Sequence, residues 1–487
     1  MIGAFLVLAA VFTRSLERVG TMDPALAQST YDFRAIQLVY EPVLTVDYTA
    51  RPYKLAPGYC ELPEVSEDSL VYVFRTRGGD SLNVVRALER LRDGRRVSPN
   101  GWIMDGVSTV RAIDARTVEV KLSRRIHYFP WLMAMGACAV SGPGGESTGN
   151  YELSSWRRNH EMVFSRRSSR KTPGCFDTVR YLVVDDVSTR WLMFLKGELD
   201  MLGEISRDNW DIVVGPDGKL NSKLAAQGIS LYTMPTLEVA YLGFNMRDPV
   251  VGANRKLRQA LNAAFDYPLW EKFCNGRILK SSGPVPLGVD GVLESPFKYS
   301  YDLEKAKRLM VEAGYPGGID PKTGRRLVLT LTIGRPDQES REAGELTASF
   351  YDRIGVKLEL QYMMWTAFIK AVDEGSVQMY RMAWVGDYPD AQNFLQLFYT
   401  PNASPGPNHS CYSNPEYDRL YEKALFAPGR QERNKYWREC QEILREDCPW
   451  VFTHGGKSAS LVRKRVENYF PSDFPYGNEG LYLTGEQ

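Results

Sequence analysis

Two carboxylates, Asp387 and Asp390, flank a Tyr-Pro pair in the stretch Trp384-Val-Gly-Asp387-Tyr388-Pro389-Asp390-Ala391-Gln392-Asn393-Phe394-Leu395. An acid beside aromatic rings is a receptor for a ligand cation, because the ring quadrupole attracts positive charge and the carboxylate completes the pair. Paired acids also serve in glycoside hydrolysis, but an i, i+3 spacing across a proline turn does not fix the ~5–9 Å separation that such chemistry needs. Either acid could instead be a turn or helix-cap residue. Asp390, directly before the run 391–399, stands where an N-cap belongs. Other reactive patterns are missing. The histidines at 127, 160, 409 and 454 are isolated, with no H-E-x-x-H or H-x-H metal pattern, and there is no G-x-S-x-G elbow, G-x-G-x-x-G or Walker A lysine motif. The cysteines at 60, 138, 175, 274, 411, 440 and 448 include no C-x-x-C pair. Their odd number leaves at least one thiol if the others pair. Cys440 and Cys448, eight residues apart, would lie ~12 Å from each other on one helix, too far for a disulfide. The residues point to capture of a ligand, without catalysis or a cofactor.

The elements that must position this stretch belong to a chain of 487 residues, longer than the roughly 250–300 at which one core stops growing. Two lobes or more are expected. Apolar residues make up 44% and charged residues 24%, the balance of a folded globular protein. Sixty Lys and Arg against 59 Asp and Glu leave a formal net charge of +1, which gives no reason to expect a nucleic-acid partner. The local basic cluster Arg157-Arg158, Arg166-Arg167 and Arg170-Lys171 reads as a solvated loop face. The apolar run Ile2 to Phe12 has the length of a signal-peptide core, without a preceding basic residue, and is too short to span a bilayer, which takes ~20 residues. It is either the remnant of a leader or a first buried strand.

Periodicity gives mixed α/β structure. Val71–Phe74 and the alternating Val118, Val120 and Leu122 read as strands. A helix from Ser81 to Arg92 is expected to turn Leu82, Val85, Leu88 and Leu91 to one face. Helices follow from Asp185 to Leu195, stopped at Gly197, and from Asn254 to Phe265 with Leu257, Ala260, Leu261 and Ala264 in one stripe. Asp302 caps a helix with Ala306, Leu309, Met310 and Ala313 on its core face, ended by Gly314. Val356, Leu358, Leu360 and Tyr362 alternate as a strand. Amphipathic helices over 417–425 and 430–446 precede Pro449. A boundary between lobes is expected near Met234-Pro235-Thr236-Leu237, with a return near 450–454.

Short motifs in a fixed order add a family resemblance over about Thr21 to Tyr469. They are Met22-Asp-Pro-Ala25, Tyr40-Glu-Pro-Val43, the strand Asp114 to Leu122, Ser147-Thr-Gly-Asn-Tyr151, Lys196-Gly-Glu-Leu-Asp200, Tyr241-Leu-Gly-Phe-Asn-Met246 with Arg258-Gln-Ala-Leu261, Asn275-Gly276, Gly283-Pro-Val-Pro286, Asp302 to Gly317, the 384–395 stretch and Asn414-Pro-Glu-Tyr-Asp418. In this the chain resembles the family 5 extracellular solute-binding proteins of bacterial ABC importers. It departs from the family where Arg75-Thr-Arg-Gly-Gly-Asp80 runs straight into a helix, and where Asn150 replaces the proline of a G-T-G-P-Y turn.

The resemblance implies an α/β, two-lobed clamshell of the type II, three-domain variety. Lobe I would comprise 1–32, 169–237 and 455–487, with a subdomain inserted over 33–168. Lobe II would be 238–454, with hinges near 235–240 and 450–456. It implies capture of di- or oligopeptides in an interlobe cleft and delivery to a membrane permease and ATPase, by a monomer in the periplasm or outside the cell. A nickel chelate, heme, glutathione or an oligosaccharide as ligand, or a sensory role, are the alternatives. It further implies that Asp387 pairs with a peptide α-ammonium. Arg335, in Gly334-Arg335-Pro336, would grip a carboxylate with its fork, or else is an exposed loop arginine. Trp384, Tyr388, Phe244 and Asn245 are candidate walls, with core packing the other reading of Trp384 and Phe244. Tyr151 and Thr148 are weaker candidates from lobe I.

Overall fold

A computed structural model describes residues 10–16, 18–50, 52–92, 98–168, 176–215, 218–467, 469–471 and 484–485. Residues 2–9 of the N-terminal apolar run, Arg170, Lys171 and Cys175 lie outside these. The end of that run, Val11 and Phe12, begins the strand Val11–Leu16. The chain forms two compact units, one of Met1–Met234 with Ser458–Gln487 and one of Pro235–Lys457. It passes from one to the other within two long strands, Ile229–Phe244 and Trp450–Arg463.

In the first unit the sheet order is Tyr151–Arg157, Glu161–Arg166, Thr178–Val183, Val11–Leu16 and Met201–Leu202, followed by the end of Trp450–Arg463. Val11–Leu16 runs parallel to Thr178–Val183, pairing Phe12 with Val179 and Arg14 with Tyr181. Alternate side chains of Val11–Leu16 are buried. Phe12, Phe164, Phe176 and Tyr181 meet in one cluster with Ala35, Leu38 and Val39 of the helix Thr30–Val39. A capping box of Ser29 and Asp32 starts that helix.

A separate four-stranded sheet runs Glu64–Val65, Val71–Arg75, Thr117–Leu122, Val107–Asp114. The helix Ser81–Arg92 packs on it with Ser81, Val84, Leu88 and Leu91 buried, whereas Leu82 is 51% exposed and Val85 is only half-buried. The expected face is therefore rotated. The cause is at the first turn, where the Ser81 hydroxyl donates to the Asp114 carbonyl (2.6 Å) and holds Ser81 inward.

In the second unit the order is Ile229–Phe244, Met379–Val385, Val328–Ile333, Lys357–Tyr362. Ile278–Leu279 pairs with Gly455 and Gly456. Met379–Val385 is antiparallel to Ile229–Phe244 and parallel to Val328–Ile333. The helices fall close to the periodic segments: Arg255–Ala264, capped by Asn254; Leu303–Glu312, capped by Asp302; Pro415–Phe426; and Arg430–Asp447. Cys448 ends the last of these in a left-handed conformation. Cys440 and Cys448 are separate buried thiols. Arg258, in the apolar stripe, is buried because carbonyls surround its guanidinium. Its Nε donates to Asp447 O (3.0 Å) and Cys448 O (3.2 Å), and its Nη1 to Val251 O (2.8 Å) and Gly252 O (2.6 Å).

Candidate ligand-binding site

Residues directly opposite in an antiparallel ladder share a face. The register Glu238↔Val385, Ala240↔Ala383, Leu242↔Arg381 therefore sets these six side chains on one face of the second unit's sheet. Val239, Tyr241, Trp384 and Met382 point to the other face. There Tyr241 stacks on Trp450 at 3.4 Å between ring centroids.

The 379–385 strand leaves the ladder at Gly386, whose N–H still donates to Leu237 O (2.6 Å). A Cβ at this position would stand 2.6 Å from the Phe394 ring, so the tight exit needs glycine. Asp390 then caps the short helix Ala391–Leu395, accepting from the Gln392 N–H at 2.9 Å. That acid is structural.

Asp387 is placed differently. Its N–H donates to Asn393 Oδ1 (3.2 Å), and Asn393 Nδ2 donates to its Oδ2 (3.2 Å). The Trp384 indole N–H donates to the same Asn393 oxygen (2.9 Å), so Asn393 ties ring and acid together. Asp387 keeps some exposed surface, yet burial is the main influence on it and raises its pKa, offset in part by the Asn393 amide. Among the described residues no cation pairs with it.

Arg335 lies in the loop after Val328–Ile333, with its side chain 77% exposed and an ion pair to Asp337 (3.2 Å). Asp337 in turn caps the helix Gln338–Asp352 through the Ser340 N–H (2.8 Å). Arg381 is a sheltered cation that no sequence motif marked. Half-buried on the 379–385 strand, it lies over the Trp270 ring at 5.5 Å and makes no hydrogen bond or ion pair among the described residues. Burial lowers its pKa; Cys274, Glu339 and Asp337 act against this, and Arg335 adds to it. Nearby His454 is pushed down to about 3, first by burial and then by Arg381. It is neutral at physiological pH and accepts the Trp270 indole N–H at Nδ1 (3.2 Å). A lone charge within the apolar run Met379-Tyr-Arg-Met-Ala383, just upstream of the 384–395 stretch, was the available signal.

Five other candidates are taken up by the fold. Phe244, at the end of its strand, is 0% exposed. Asn245 donates from Nδ2 to Gly375 O (2.9 Å) and Val377 O (3.0 Å) and so braces a turn. Tyr388 is enclosed, its hydroxyl donating to Gln392 Oε1. Tyr151 is buried, with its hydroxyl on Phe176 O (3.0 Å). Thr148 donates to Val140 O and accepts the Glu41 N–H (2.9 Å), tying loops together. Trp384 remains half-buried beside Asp387.

Asp387 and Arg381, sheltered and without an ion pair among the described residues, are the kinds of group that receive an ammonium and a carboxylate respectively. Among the described residues no group of three His, Cys, Asp or Glu is placed to hold a metal ion. No helix among them is long and apolar enough to cross a membrane.

The family model for bacterial extracellular solute-binding proteins, family 5 (Middle), matches residues 23–406. Heme-binding protein A of Haemophilus influenzae is 23% identical to this chain, covering 90% of it and 85% of the relative. The dipeptide-binding protein of Escherichia coli K12 is 22% identical, covering 91% and 88%. The solved structure of HbpA2 from Haemophilus parasuis superposes with a TM-score of 0.82 at 22% identity, over 98% of this chain and 100% of that one. The fold is thus that of the clamshell periplasmic binding proteins.

Proposed function

The chain belongs to family 5 of the bacterial extracellular solute-binding proteins, and from that premise we propose that it captures short peptides for an ABC importer. The observation that carries this reading is Asp387: a sheltered carboxylate of raised pKa, fixed by Asn393 and given no cation. A peptide α-ammonium supplies the missing charge. Arg381 is assigned the peptide carboxylate in place of Arg335, because Arg335 already has Asp337 and stands in solvent. Trp384 lines the ammonium end. The two units are read as the two lobes, the protein as a periplasmic monomer, and the permease with its ATPase as the recipient. The similarity to a dipeptide-binding protein supports the ligand class.

Native mass spectrometry of the purified protein, followed by calorimetry with di-, tri- and pentapeptides, tests the reading. Binding at about 1 μM or tighter, near −8 kcal/mol, is expected, and Asp387→Ala should weaken it at least about 100-fold, since a charged hydrogen-bonded pair is lost. Unchanged affinity in the variant sinks the site. N-acetylated peptides that bind as well as free ones sink the ammonium role and favour another solute.

A further inference from the structure

We propose that Glu238, on the sheet face of the second unit that carries Arg381, is a second cation-receiving point, so that the ligand is a peptide with a basic side chain. This rests on the peptide reading and narrows it.

Glu238 stands opposite Val385, four residues along its strand from Leu242, which stands opposite Arg381. At ~3.3 Å per residue the acid and the guanidinium are rooted ~13 Å apart. Between them the face carries only Ala240 and Ala383. Ala383 and Val385 are exposed, and Ala240 is half-buried. An acid and a guanidinium on this face are thus separated only by small side chains along the two strands. Along the strand Glu238 falls between Arg381 and Asp387.

Glu238 also lacks what a structural acid has. Its side chain makes no hydrogen bond or ion pair among the described residues, and burial is the only influence on its raised pKa. Neither Glu238 nor Asp387 contributes to the shift of the other, so they are separate negative points. Thr236, two residues earlier on the same face, has a buried hydroxyl oxygen without a hydrogen-bond partner. Gly456 presses against this pair: a Cβ there would lie 2.0 Å from Thr236 Oγ1 and 3.1 Å from Glu238 Cβ. The neighbouring strand thus walls the acid without giving it a donor. A lysine ammonium or arginine guanidinium arriving from the ligand would satisfy both the carboxylate and the Thr236 oxygen.

The test is calorimetry on the full chain with trialanine peptides carrying lysine, or its uncharged isostere norleucine, at each position in turn. At one position or more, lysine should bind at least about tenfold tighter than norleucine, the effect of one charged hydrogen bond. Glu238→Gln should reduce that ratio to below about twofold while leaving the norleucine peptides unchanged, with a thermal melt confirming that the variant is folded. Equal binding of the two series by the natural protein, or a lysine preference that survives in Glu238→Gln, overturns the role of Glu238 alone. No binding of either series overturns the peptide reading and this inference together.

Discussion

Asp200 in the first unit and Asp387 in the second are both sheltered carboxylates at the ends of short turns, but the chain treats them differently. Asp200 is 2% exposed and fully served: Arg465 Nε and Nη2 each donate to it at 2.6 Å, and the Thr13 N–H donates at 2.7 Å. Asp387 receives one side-chain amide. The cations follow the same division. Arg258 has four carbonyl contacts, whereas Arg381 lies over the face of Trp270 and makes no hydrogen bond or ion pair among the described residues. A buried charge without a partner costs several kcal/mol, so a fold supplies partners wherever the charge serves only the fold. Two acids and an arginine that make no ion pair among the described residues, on or just after neighbouring strands, are on the proposed reading the groups that a bound molecule compensates.

The largest effect should come from breaking the served pair. Arg465→Ala leaves the buried Asp200 carboxylate with the Thr13 N–H as its one hydrogen bond among the described residues, and with the charge of Arg463 nearby. The loss should be about 3 kcal/mol, the low end for an orphaned buried ion, because the Arg465 side chain is itself 47% exposed. Urea unfolding measures it. Asp387→Asn, measured beside it without ligand, should cost nothing or stabilise slightly, since no ion pair is lost and a desolvated charge is removed. A loss in Asp387→Asn as large as that in Arg465→Ala would erase the distinction between the two acids.

The pH dependence of stability should separate Asp387 from another served acid of the first unit, Asp32, with opposite signs. The Asp387 pKa is raised, so its contribution to stability is fully present below the ordinary value of ~3.9 and is lost as pH rises through the raised value. Asp32 goes the other way. Burial is the largest influence and acts upward, but the N–H groups of Gly20, Ser29 and Gln28 outweigh it and the pKa is lowered. Its contribution is present above ~3.9 and is lost as pH falls through the lowered value. Relative to the natural protein, Asp387→Asn should therefore gain stability between pH 3 and 6, while Asp32→Asn should be at its worst at pH 6. Unfolding midpoints at the two pH values decide it, and parallel shifts in the two variants would contradict the comparison.

How much of this was legible beforehand depended on whether the signal was local. Asp390 as a cap, Asp302 and Gly314 at the ends of one helix, and Asn254 at the start of another are written in adjacent residues, and the structure places them so. The face of Ser81–Arg92 was not, because a hydroxyl reaching 33 residues along the chain to Asp114 decides its rotation. The aromatic candidates failed for a related reason. Phe244, Tyr388 and Tyr151 sit in motifs that read as walls, but all three are buried, Tyr151 with its hydroxyl on Phe176, 25 residues along the chain, and Tyr388 with its hydroxyl on Gln392. Arg381 and Glu238 carry no motif at all. Their interest lies in what they do not touch, and an absent partner is visible only once the neighbouring strands are in register.

The smallest effect tests whether Asn393 is the part that makes Asp387 a receptor. Trp384→Phe keeps the ring beside the acid and removes one donor, the indole N–H on Asn393 Oδ1. That oxygen also accepts the Asp387 N–H, so its amide loses one of two restraints while the carboxylate keeps its only side-chain donor. A neutral hydrogen bond is worth about 1 kcal/mol, and peptide affinity should fall about fivefold with unfolding midpoints nearly unmoved. A fall as deep as that of Asp387→Ala would mean that the ring itself holds the cation. No fall would mean that Asn393 is oriented by the chain turn at Gly386 alone, and the acid would then owe its position to the glycine and not to the tryptophan.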